Sequence, residues 1–499
     1  MEHKDTKARR HKERPCLKAI YAAFLCVFVP LCLCVPLSSA GFAAAANDPP
    51  LVEAAKNTDR AAVGSLIRQG VNVNAASADG TTALAWAAHR DDLETADLLI
   101  RAHANVNAAT DYGVTPLSLA CTNRSAAMVE RLLKAGANPN ATLWTGETPL
   151  LACAHTGNVE AVKLLLSHRA DPNVKENQQG HTALMRAVAE KHPDVARALI
   201  EGGADVRARS KGGFTALLFA SQQGDVESAR ILLAAGADVN EASPENGTAL
   251  VVATASGREA FSIFLLENGA DPNAADAYGV TALHYALPQG LAGIDSVSVI
   301  FRPFEAVLPD MPELVKALLS RGANANAQIA KDFPPYSRSP YALLTSLTGA
   351  TPFLLATAAA DVPLMRTLLA GGADPHLTLK DGSTALMIAA GVGRVDERRN
   401  QEEDAKALEA VKLALELGMD VNAANARGRT ALHGAASIGA NAIIQFLAEK
   451  GANLEAKDKQ GNTPLRIAAG RFPRAGDGAN RVYEKTADLL LKLGAKPLD

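Results

Sequence analysis

Apolar positions along this chain come in paired clusters with helical spacing. Within 113–140, Leu117 and Ala120 follow Thr115-Pro116, and Met128, Val129, Leu132 and Leu133 then repeat the 3- and 4-residue spacing of an amphipathic helix. Thr115 is placed to cap the first helix, and Pro116 suits its first position, where a missing N–H costs nothing. Gly136 follows the second cluster, where a left-handed residue ends a helix. Asn138-Pro139-Asn140 then leads through a turn-rich finger toward the next Gly-x-Thr. The pattern predicts two short helices and an extended hairpin.

This unit returns. Thr followed by Ala or Pro and an apolar residue begins at Thr82, Thr115, Thr148, Thr182, Thr215, Thr248, Thr281, Thr351, Thr384, Thr430 and Thr463, most often 33 residues apart. A period near 33 with two helices per unit marks a stacked array in which each repeat contacts only its neighbours. The helix-ending glycine recurs from Gly70 to Gly494, but His103 and Arg169 replace it in two early repeats. A left-handed backbone is expected at both, at a cost of roughly 1–2 kcal/mol each. Asn246-Gly247-Thr248 has lost one residue, and Asn246 is expected to take the left-handed turn position.

Gly113-Val114-Thr115-Pro116-Leu117 with Ala120, then Leu132-Leu133-Lys134-Ala135-Gly136-Ala137-Asn138-Pro139-Asn140, resembles the ankyrin repeat. The resemblance runs from Gly80 to Ala495, with Leu66, Ile67, Gly70 and Asn74 of an N-terminal capping repeat (47–78) in register. It implies an all-α ankyrin-repeat solenoid of helix-turn-helix repeats with short β-hairpin fingers. Eleven repeats are expected over 79–499, at about 79–108, 112–141, 145–174, 179–208, 212–241, 245–274, 278–327, 348–377, 381–423, 427–456 and 460–495. The family often places His three residues after the Thr; only His284 and His433 do so here, and they are expected to be structural hydrogen-bonders. By architecture and insertions the chain also resembles the ankyrin-repeat proteins that bacteria export behind a signal peptide.

Four insertions break the frame, near 288–312, 327–347, 391–405 and 470–481. Three fall in the turn between paired helices, so they would line one edge, where insertions often mark a binding face. Covering exposed core is an equally good account of them. The stretch Asp396–Lys406 is expected to lengthen the second helix of its repeat as a solvated extension.

Residues 1–46 are of another kind. Lys4, Lys7, Arg9, Arg10, Lys12, Arg14 and Lys18 precede an apolar run from Ala19 to Leu37, and Ala43-Ala44-Ala45-Ala46 offers a cleavage site before Asn47. This is the layout of a signal peptide, with an uncleaved membrane anchor as the alternative. The expected location is therefore exported, periplasmic or extracellular in a bacterium. The whole chain carries a net charge of −3; without the +4 of residues 1–46 the remainder carries −7, and no basic stripe suggests nucleic acid. Of six cysteines only Cys121 and Cys153 lie beyond residue 46. Neighbouring helix axes are roughly 8–10 Å apart and a bridge needs α-carbons within about 7 Å, which predicts two buried thiols and no disulfide.

Aromatic residues make up only 4% of the chain, yet Tyr112, Trp144 and Tyr278 occupy finger tips, and Phe333, Tyr336 and Tyr341 crowd one inserted finger. Exposed Trp and Tyr are enriched at binding hot spots, so these six are the candidate partner-binding residues; stacking on a neighbouring finger is the plainer account of any one of them. Zinc-protease, nucleophile-elbow, phosphate-loop and Cys-x-x-Cys motifs are missing, and the histidines lack ligand spacing. The expectation is a monomeric protein–protein interaction scaffold with an unidentified protein partner, no catalytic residues, no cofactor and no metal. A membrane-tethered scaffold and a non-catalytic subunit of an exported enzyme complex are the alternatives.

Overall fold

The computed structural model describes residues 48–287, 311–332, 346–393, 401–470 and 482–498. Residues 1–47 and most of the four insertions lie outside this set. The chain divides into two units, Met1–Asn47 and Asp48–Asp499. The second unit holds 24 helices and almost no strand among its described residues, an all-α solenoid of ankyrin repeats.

Each first helix starts where its Thr predicts. The hydroxyls of Thr82, Thr115, Thr148, Thr182, Thr351, Thr384 and Thr463 accept the backbone N–H three residues on. Second helices are capped by Asp59, Asp92, Ser125, Asn158, Asp225 and Asp361 in the same way. Such caps are worth about 1 kcal/mol each, which matters for helices too short to persist alone. Packing supplies the rest. First helices stack on first helices and second on second, and one buried apolar cluster runs from Leu51 to Ala495. The slot five residues after the Thr holds Ala87, Ala120, Ala187, Ala220 and Ala253, all fully buried, so neighbouring first helices approach closely.

That close approach corrects the cysteine expectation. Cys121 and Cys153 form a disulfide, with α-carbons 4.6 Å apart. Cys153 sits in the small-residue slot of its repeat, and Cys121 one position later in the preceding repeat. The error lay in using the axis separation: α-carbons stand about 2.3 Å off each axis, so axes about 8–10 Å apart bring facing α-carbons to roughly 3.4–5.4 Å.

The left-handed helix ends follow the sequence. His103 and Arg169 have φ of 62° and 66°, and Gly136, at the same position of the repeat between them, has 90°. Asn246 departs from expectation. Gly247 takes the positive φ (74°), and the Asn246 N–H donates to Ser243 Oγ instead. The shortened turn closes as a two-stranded hairpin pairing Ala242–Ser243 with Gly247–Thr248. In the repeat that begins at Thr384, the second helix runs Gln401–Glu416, 16 residues, so residues 401–406 of the charged stretch do lengthen it, and residues 396–400 lie outside the described residues.

Two hydrogen-bond rows tie neighbouring repeats together. Along the fingers, one backbone N–H donates to a carbonyl of the preceding finger: Asp111 to Asp79, Trp144 to Tyr112, Asn177 to Thr145, Lys211 to Gln179 and Ala277 to Glu245. Behind them runs an asparagine ladder. Asn107, Asn140, Asn173, Asn240, Asn273, Asn326 and Asn422 each donate from Nδ2 to the carbonyl of the residue ending the next helix pair. The Oδ1 of each accepts a backbone N–H of that next repeat. Arg207 and His376 stand in two of these positions. Arg207 keeps the donor contact, to the Gly236 carbonyl, but a guanidinium has no acceptor to complete the pair.

Candidate functional site

The finger ladder sets successive loop tips side by side, so a residue at a given tip position neighbours its counterparts one repeat away. Tyr112 and Trp144 are such neighbours. Trp144 N–H donates to Tyr112 O at 3.1 Å, while the two side chains stay 64% and 68% exposed. A large aromatic ring left in water forgoes about 1.5–3 kcal/mol of burial, and here two lie adjacent.

Tyr278 differs. It is half-buried against the apolar core, with Lys331 Nζ 5.2 Å from its ring centre and Ala330 N–H bonded to its carbonyl. For this residue, stacking on the neighbouring finger is what the structure shows. Phe333, Tyr336 and Tyr341 lie outside the described residues.

Sequence reasoning passed over the next fingers along. Lys175, Asn177, Arg209 and Lys211 line an open recess of about 410 Å³ between two fingers. Its floor includes Glu176, whose side chain is buried and accepts N–H groups from Gln178, Gln179 and His181. Burial alone would raise the pKa of this carboxyl; those N–H donors outweigh it and hold the pKa below the ordinary value. Arg209 pairs with Glu241 at 2.6 Å. Lys175 and Lys211 donate to the carbonyls of Arg209 and Asn177. Among the described residues, no carboxylate lies within 4 Å of either ammonium or of Arg186.

Arg186 is half-buried on the first helix of its repeat, four residues after the Thr. Trp86, Leu119, Ala152 and Phe219 hold the same position in other repeats and are half-buried too. Phe219 is packed edge-on by His181, ring centres 5.2 Å apart, and burial together with Arg186 pushes the His181 pKa down. This band is legible as the fourth residue after each Thr, a spacing the finger tips overshadowed.

The two motif histidines build structure. Thr281 N–H donates to His284 Nδ1, so the proton sits on Nε2, which donates to the carbonyls of Ala327 and Ala350. Full burial lowers the His284 pKa to about 4 despite those carbonyls. His433 repeats the arrangement between Thr430 N–H and the Asn462 carbonyl. On the lengthened helix, Glu402 and Lys406 form an exposed pair at 2.9 Å. Among the described residues no three His, Cys, Asp or Glu side chains converge as metal ligands, and no helix is long and apolar enough to cross a membrane.

The family model for ankyrin repeats matches residues 51–143, 141–210, 217–301 and 403–498, more than half of the chain. Part of the chain is 38% identical over 104 residues to the neurogenic locus Notch protein of Drosophila melanogaster, 20% of this chain and 3% of that protein. Another match is 32% over 133 residues to the E3 ubiquitin-protein ligase KEG of Arabidopsis thaliana, 26% of this chain and 7% of that protein. A third is 32% over 212 residues to ankyrin repeat and SOCS box protein 16 of Mus musculus, 39% of this chain and 45% of that protein. The chain thus spans less than half the length of each of these relatives.

Proposed function

The chain belongs to the ankyrin-repeat family, and on that premise we propose that it is an exported scaffold that recognises a protein partner through its finger row and carries out no catalysis of its own. The observation that carries this reading is the adjacent pair Tyr112 and Trp144, both left exposed on neighbouring fingers. The finger ladder and the asparagine ladder hold these side chains on a preformed frame, so little conformational entropy is lost when a partner docks.

Export rests on the basic, apolar and alanine-rich order of residues 1–46. The Cys121–Cys153 disulfide adds support, because such bonds persist in oxidising compartments. Recovery of the exported protein with Asn47 as its first residue supports a cleaved signal peptide; an intact N-terminus on membranes favours the tethered alternative.

Recognition is tested by photo-crosslinking. A photoreactive amino acid at position 112 or 144 is expected to capture a defined partner from the exported fraction, and the same group on the outer-helix position Glu130 is not. Equal capture from both faces refutes recognition by the fingers.

A further inference from the structure

The chemistry of the finger row changes along the array, and the order of the changes specifies a partner. The fingers before Thr115 and Thr148 present Tyr112 and Trp144. The next two present Lys175, Arg209 and Lys211 around their recess. The finger after those presents the exposed Glu245, while Glu241 beside it is held by Arg209. Asn177 joins the first zones: its Nδ2 donates to the Trp144 carbonyl, and it lines the recess.

Within the basic zone positive charge exceeds negative, with Lys175, Arg209 and Lys211 set against Glu176 and Glu241. Glu176 is an ionised carboxylate held at the floor by backbone N–H groups, and Glu241 is paired with Arg209. Lys175 and Lys211 each give one N–H to a carbonyl. An ammonium carries three, so two on each lysine remain for an incoming acceptor. Both lysines are exposed, which places that acceptor at the surface of the recess.

We propose that this zone receives an extended acidic polypeptide segment. A large aromatic or aliphatic residue of the segment packs against Tyr112 and Trp144, and its carboxylates lie over Lys175 and Lys211. This rests on the protein-recognition reading above and narrows it to one class of partner. Repeats are stacked about 10 Å apart and an extended chain advances about 3.3 Å per residue, so carboxylates over Lys175 and Lys211 follow an anchor at Trp144 by roughly three and six residues. Nucleic acid fits less well. A long polyanion continuing along the row would leave the basic fingers and run onto the exposed Glu245, whereas a short acidic segment ends before it. Glu245 disfavours a segment shifted one repeat toward it, which biases the register.

The test uses the full disulfide-bonded chain and fluorescence anisotropy. The probes are dye-labelled 12-residue peptides with a Phe followed by Asp and Glu, the same peptide with Asn and Gln, and a 12-nucleotide single-stranded DNA. The acidic peptide is expected to bind at least tenfold more tightly than the amide peptide or the DNA, and to weaken as salt rises. Lys175→Glu/Lys211→Glu and Tyr112→Ala/Trp144→Ala are each expected to cost tenfold or more while the circular dichroism spectrum is unchanged. Equal binding of the amide peptide, undiminished binding by the lysine variant, or tighter binding of the DNA overturns the proposal.

Display of random 12-residue peptides on the wild type separates the two levels of the reading. Enriched sequences that carry acids near an aromatic or aliphatic residue support the proposal. Enriched sequences without acids, lost on Tyr112→Ala/Trp144→Ala, overturn it and leave finger recognition standing. No enrichment over that variant overturns both.

Discussion

His103 and Arg169 end their helix pairs with the left-handed backbone that glycine provides in most other repeats. Their φ values of 62° and 66° are tighter than the 90° of Gly136, which lets an L-residue occupy the left-handed well at all. Both side chains are exposed, and a Cβ added at the equivalent Gly136 or Gly203 would meet nothing within 4 Å. Replacing either residue with glycine therefore loses no packing contact. It removes roughly 1–2 kcal/mol of backbone strain and restores about 0.5–1 kcal/mol of unfolded-chain freedom. The net expectation is about 0.5–1 kcal/mol per site, and about 1–2 kcal/mol for the double variant, since the sites are two repeats apart and share no contact.

The chain's two tryptophans make a local assay, because Trp86 and Trp144 both lie in these early repeats. Urea unfolding followed by tryptophan fluorescence reads the region directly, even if distant repeats unfold separately. With a slope of about 1–3 kcal/mol per molar urea, the double variant should raise the midpoint by roughly half a molar or more. The mirror change at one site, Gly136→Ala, should lower it by about half as much. An unchanged or lowered midpoint for His103→Gly/Arg169→Gly refutes the strain account and the register behind it.

Reduction of the Cys121–Cys153 bond, or its replacement by the alanines that neighbouring repeats carry there, should cost about 3–4 kcal/mol for a 32-residue separation; equal midpoints of oxidised and reduced protein would contradict this. His284, neutral in the fold with a pKa of about 4 against 6.5 unfolded, contributes stability that is fully present above pH 6.5 and is lost as pH falls toward 4. That loss is about 3 kcal/mol, and His284→Gln should flatten this part of the stability–pH curve; an identical acid dependence in the variant counts against it. Arg207→Asn should complete the interrupted asparagine ladder and add about 1 kcal/mol; a crystal structure of the variant in which the new amide oxygen accepts nothing from the next repeat removes the basis for that gain.

What could be read from the residues alone was whatever the repeat dictates by position. Thr caps, the left-handed backbone at His103 and Arg169, and the buried tautomer-defining contacts of His284 and His433 each follow from one slot in a 33-residue frame. The disulfide did not, because it depends on how near two facing slots come, and the distance between helix axes misjudges that by twice the α-carbon radius. Tyr278 and Tyr112 occupy similar finger tips; only the course of the following finger, which brings Lys331 over one ring, sets them apart. The basic recess was missed for a related reason. Lys175 and Lys211 belong to different repeats and are ordinary surface lysines singly, and they become a site only when two fingers lie side by side.

A linear stack fails from its ends, one pair of helices after another, with each detached pair free to re-form on the remainder. The covalent link between Cys121 and Cys153 interrupts that sequence. A peeling front that enters from either terminus must halt where two successive pairs can be lost only together. Under mechanical load or proteolytic attack, the segment that carries Tyr112 and Trp144 would outlast the rest of the stack and remain a seed from which it can be rebuilt.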